Sequence, residues 1–173
     1  MTLKKDKKKL AVGTIVIGVI LVGLLASIFS PRSLEALYFQ NAQFEKSDFR
    51  LKPAAGMVLS IRKTKESLLS LNTQERILIW ISSLKESTYE FSDSSKSLWH
   101  FSKSVVDHPE LNCEADIHSG QLEILSVEAE HIKIRLLASI ACLKKDGTQL
   151  EVIQLDQGYA LTSHRLDEMS AVQ

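Results

Sequence analysis

Asn72-Thr73-Gln74-Glu75-Arg76-Ile77-Leu78-Ile79-Trp80-Ile81 carries two incompatible local instructions. Asn72 followed three residues later by Glu75 has the spacing of a helix capping box. Behind it, Ile77, Trp80, Ile81 and Leu84 recur at helical intervals. The unbroken apolar run 77–81 also fits a strand buried on both faces. The capping box favours a helix, and that choice makes the first half of the chain helical.

Similar signals flank it. Ser30-Pro31 reads as an N-cap and first helical residue, with Leu34, Leu37 and Tyr38 forming a stripe that ends near Gln43. Pro53 and Gly56 mark 50–57 as a connector. A second helical region follows at 58–71. A third, short helix is expected with Asp93 or Ser94 as cap and Leu98, Phe101 and Val105 on one face, ending at His108-Pro109.

Beyond Leu111 the period changes from helical to alternating. Residues 121–130 read as a strand, and 131–143 is the clearest one: Ile132, Ile134, Leu136, Ala138, Ile140 and Cys142 alternate with Lys133, Arg135 and Ser139. Lys145-Asp146-Gly147 signals a hairpin turn before a strand reaching about Leu161. The expected fold is α+β, with an N-terminal transmembrane helix followed by helices packed on a curved antiparallel meander. The expected units are a basic stub at 1–9, an anchor at 10–30 and a juxtamembrane helix and connector at 31–57. An extracytoplasmic domain at 58–163 and a loose tail at 164–173 complete them.

The anchor rests on length. From Leu10 to Phe29 the chain has no charge and no proline, with Thr14 and Ser27 its only polar side chains. About 20 such residues cross a hydrocarbon core, whereas the apolar region of a cleaved signal is shorter. Lys4, Lys5, Lys7, Lys8 and Lys9 precede the span, which places the N-terminus in the cytoplasm. Thr14 with Gly18, and Gly23 with Ser27, are small-xxx-small pairs suited to helix packing, but they fall on roughly opposite faces.

Charge divides along the chain: residues 1–9 carry a net +4 and the remainder a net −4. The mildly acidic remainder argues against nucleic acid as a partner. Cys113 and Cys142 are expected to form a disulfide in an oxidising compartment. The absence of an Asn-x-Ser/Thr sequon favours a bacterial envelope over a eukaryotic surface.

No phosphate loop, nucleophile elbow, zinc-protease motif or Cys-x-x-Cys is present, so no catalytic, cofactor or metal residues are assigned. Glu114, Asp116 and His118 alternate along one segment and are better read as a solvated strand face than as a site. Ser102, Ser104, Asp107 and His108 supply triad residue types without an informative spacing. Trp80 and Trp99 read as core or interface anchors.

These parts describe a single-pass protein of the bacterial inner membrane, its bulk in the periplasm. It acts as a non-enzymatic assembly subunit of an envelope-spanning machine, with other envelope proteins or a second copy as partners. The layout is similar to assembly factors of conjugation and type IV secretion systems and to alignment subunits of type II secretion and type IV pilus platforms, a likeness that assigns no residue. The alternatives are an extracytoplasmic small-molecule or lipid-binding module, or a periplasmic protein released by signal cleavage.

Overall fold

The computed structural model describes residues 32–45, 50–66, 71–85, 87–92, 97–117 and 119–165. Among them the secondary structure is nine strands and one short 3-10 turn. The strands are β1 (Arg32–Phe44), β2 (Leu51–Lys65), β3 (Thr73–Ile81), β4 (Thr88–Glu90), β5 (Ser97–Val105), β6 (Cys113–Asp116), β7 (Gly120–Val127), β8 (His131–Leu143) and β9 (Gln149–His164).

β1, β2, β3, β5, β6, β8 and β9 pair in that order, and β9 pairs back onto β1, closing a barrel. β4 and β5 share one stave and β6 and β7 another, because β4 lies against β7, β5 against β6, and both β6 and β7 against β8. The ring therefore has seven staves. With an odd number, direction cannot alternate all the way round. Every other pairing is antiparallel, but β1 and β9 run parallel, through three register pairs only: Leu37↔Thr162, Tyr38↔Ser163 and Phe39↔His164.

Alternation along each stave fills the interior. Leu59 and Ile61 on β2, Ile77, Ile79 and Ile81 on β3, Trp99 and Phe101 on β5, and Ile132 to Cys142 at even positions on β8 form one buried cluster. Fully burying each of the Leu, Ile and Phe side chains among them contributes about 1.5–3 kcal/mol. Phe91 stacks against Trp99 with ring centroids 3.5 Å apart, and the Tyr89 hydroxyl donates to the Ser83 carbonyl.

A second cluster lies outside the barrel wall. The β1–β2 hairpin continues beyond the end of β3, where Met57 pairs with Ile81, and it bends at a bulge between Gln40 and Ala42. Asn41 (φ 53°) and Gly56 (φ 108°) take up the bend. A Cβ at Gly56 would stand 2.7 Å from the Ile81 carbonyl oxygen, so glycine is required there for space as well as conformation. The arm packs Ala42 and Phe44 with Phe39, Val58 and Leu78, while Trp80 Nε1 donates to the Ala55 carbonyl at 3.2 Å.

This second cluster explains why the helices expected in the first half are strands. Ile77, Ile79 and Ile81 face the interior, and Leu78 packs in the outer cluster with Trp80 against it. A strand covered on both faces has no alternation to betray it. The same holds for 37–39 in β1 and 57–59 in β2. Pro53 is tolerated in the supposed connector because that part of β2 has β1 on one side and extends past β3. The α+β expectation is thus replaced by an all-β barrel; β7, β8 and β9 do form an antiparallel meander, with β8 spanning the residues that alternate strictly in the sequence.

The expected anchor at 10–30, with Lys4, Lys5, Lys7, Lys8 and Lys9 before it and Thr14, Gly18, Gly23 and Ser27 within it, lies outside the described residues. Among the described residues no helix is long and apolar enough to cross a membrane. With no membrane-crossing helix among the described residues, the single-span topology, the membrane as partner and the inner-membrane and periplasmic placement are withdrawn as expectations. So is the likeness to secretion and pilus factors, which required helices after an anchor.

Candidate docking edge

β9 is the longest strand, and it is paired asymmetrically. Antiparallel pairing to β8 runs from Gln149 to Thr162, whereas pairing to β1 begins only at Thr162. The Ser163 N–H donates to the Glu130 carbonyl at 2.9 Å, which aims the backbone groups of odd-numbered residues at β8. The N–H and C=O of Val152, Gln154, Asp156, Gly158 and Ala160 consequently face the other edge, where no strand lies among the described residues. An edge of this kind is a template for another chain, and proteins commonly defend it with lysine or proline. From Gln149 to His164 there is no Lys, Arg or Pro.

The edge borders a seam. Below their three shared pairs β1 and β9 no longer pair, and their parallel register sets 32–36 of β1 level with 157–161 of β9. Core residues are incompletely covered along it: Ala36, Ile153 and Leu155 are partly buried against the main cluster, and Leu34 is 54% exposed. Lys63, on the inward face of β2, reaches this seam. Its Nζ donates to Gln157 Oε1 at 2.7 Å and stands 5.4 Å from the centroid of the Tyr159 ring.

On the outer face, Arg135 on β8 makes a two-pronged contact with Asp156, Nε to Oδ1 at 2.9 Å and Nη2 to Oδ2 at 3.1 Å. The Arg135 hydrogen bond holds the Asp156 carboxyl below the usual aspartate range, and the same bond raises Arg135. Gln154 Nε2 donates to Ser139 Oγ at 2.9 Å. Outward side chains of β9 are thus tied back to β8, away from the free edge.

Cys113 and Cys142, 5.4 Å apart at Cα, are joined in a disulfide that staples β6 to β8 beside their one register pair, Glu114↔Leu143. Glu151 lies beside the two sulfurs, but sulfurs bonded to each other are not thiolates and do not ligate a metal. Glu151 instead accepts a bond from Lys103 at 2.5 Å. A cleft of about 180 Å³ opens next to the staple, lined by Lys103, Asn112, Glu114, Lys144 and Lys145 among others. The Asn112 side-chain oxygen there accepts the Val105 N–H.

The other sequence candidates do not converge. His118 lies outside the described residues; Glu114 is exposed on β6, and Asp116 stands in register with His100. His108 Nδ1 is 2.9 Å from Glu110 on an exposed turn, so its partner is neither Ser102 nor Ser104. That contact holds the Glu110 carboxyl below its usual range. Trp99 is core, and Trp80 belongs to the outer cluster. The docking edge was missed in the sequence, where its one trace is the absence of lysine and proline from a long alternating strand. Comparison with protein-family models, curated proteins and solved structures finds no match.

Proposed function

We propose that this chain is a non-enzymatic assembly module that binds protein partners by strand addition along the edge of β9 that faces no described strand. The observation that supports this most is the run of outward backbone groups at Val152, Gln154, Asp156, Gly158 and Ala160 on a strand free of lysine and proline. A small-molecule role draws less support, since the barrel interior is occupied by buried side chains.

The test is a photo-reactive residue placed at Val152, on the edge, and separately at Gln74, exposed on the closed wall of β3. A defined adduct from position 152 that is absent from position 74, and lost when Gln154→Pro removes one edge donor, is the expected result. Equal adducts from both positions, or none from either, overturn the reading.

A further inference from the structure

We infer that the occupant of the edge is an extended segment of another protein that enters the β1–β9 seam antiparallel to β9 and presents a carboxylate to Lys63. The inference rests on the strand-addition reading above and deepens it.

Direction follows from the ring. Seven staves force one parallel closure, and here it extends over three register pairs while its neighbours pair along most of their length. Parallel pairing is the less stable form per residue. One further strand running against both β1 and β9 turns the ring into an eight-stave barrel with alternating directions throughout. Below Leu37↔Thr162, 32–36 of β1 and 157–161 of β9 are unpaired with each other and are the segments that receive it.

Side-chain chemistry follows from the lining. Alternate residues of the incoming strand face inward, where Leu34, Ala36, Ile153 and Leu155 offer incompletely covered apolar surface. Lys63, in register with Leu34, holds its ammonium beside Gln157 and Tyr159, where its contacts are an amide oxygen and an aromatic ring. The complementary segment therefore has apolar residues at alternate positions with one Asp or Glu among them.

The probe is a blocked ten-residue peptide alternating threonine and valine, with a glutamate replacing one central valine, titrated into the full chain. Binding and residue-resolved amide exchange are recorded. Protection is expected at Val152, Gln154, Asp156, Gly158 and Ala160, and methylating alternate peptide nitrogens abolishes it. Changing the peptide glutamate to glutamine weakens binding at least roughly threefold for the natural chain but not for Lys63→Met, on the scale of a charge-assisted hydrogen bond. A nitroxide on the peptide N-terminus broadens Ala160 and Thr162 rather than Leu150.

Broadening at Leu150, or indifference to the glutamate, overturns the antiparallel, carboxylate-bearing occupant while leaving strand addition intact. Dimerisation of the chain alone that protects the same five amides assigns the edge to a second copy, and also overturns the inference. Failure to protect these amides, together with no edge-specific adduct from position 152, removes the strand-addition reading itself.

Discussion

Lys63 on β2 donates to Gln157 on β9 although β1 stands between their strands. The side chain shares its face with Leu59 and Ile61, so it passes behind β1 through the barrel interior and emerges at the seam. Lys63→Met removes one exposed hydrogen bond while keeping most of the stem's packing. A loss of about 0.5–1.5 kcal/mol is expected in chemical denaturation.

Proline scanning distinguishes the two edges of β9. Val152 aims its N–H at the free edge, and Ile153 aims its own at β8. Val152→Pro should leave a folded protein close to the natural stability, while Ile153→Pro should cost about 3 kcal/mol or more. Thermal midpoints of the two variants check this, and equal losses would refute the assignment of the edge.

The Cys113–Cys142 staple encloses a 29-residue separation. On the chain-entropy model a loop near that size stabilises the fold by roughly 3–4 kcal/mol. The double variant Cys113→Ala, Cys142→Ala should lose an amount of that order in denaturant titration, together with the small cost of two buried sulfurs. Reductant should affect the natural chain and leave the variant unchanged.

Gly56→Ala tests the outer arm. The substitution meets a positive φ and a close carbonyl at once, so it should destabilise by more than about 1 kcal/mol. Because Trp80 Nε1 bonds to Ala55 beside it, a shift in tryptophan emission should accompany the loss.

The Asp156 carboxyl should titrate below the ordinary aspartate range, and Arg135→Gln should return it there, as followed by carboxyl NMR shifts. A lowered folded-state pKa contributes stability that is present above the unfolded-state value and lost as pH falls through the folded one. The natural chain should therefore lose this contribution on acidification, and the Arg135→Gln variant should lose less over the same range, the lowered Glu110 and Asp146 carboxyls still contributing.

How much of this was legible depended on what covered each strand. β8 has one wet face and one dry face, and its alternation of Lys133, Arg135 and Ser139 with Ile132, Ile134 and Ile140 marked its extent in the sequence. β3 is dry on both faces through 77–79, so its apolar run matched a helix as well as a strand, and the spacing of Asn72 and Glu75 tipped the reading wrongly. In the structure the Asn72 carbonyl accepts the Val106 N–H, a cross-strand role that a capping motif cannot announce. The seam was less legible still, because it arises from the number of staves, a property of the whole ring and of no single segment.

Parallel closure also decides how the barrel answers to force. β1 enters at one end of the ring and β9 leaves at the other, so a pull on the two chain ends drags these neighbours past each other lengthwise. Their three shared pairs are then strained together in shear, not peeled apart one at a time. The β2–β3, β3–β5 and β5–β6 joints are longer ladders, and β6–β8 is backed by the covalent staple. Under tension the same seam that receives a strand is where this barrel gives way first, and an added strand bridging it stiffens the molecule along its length.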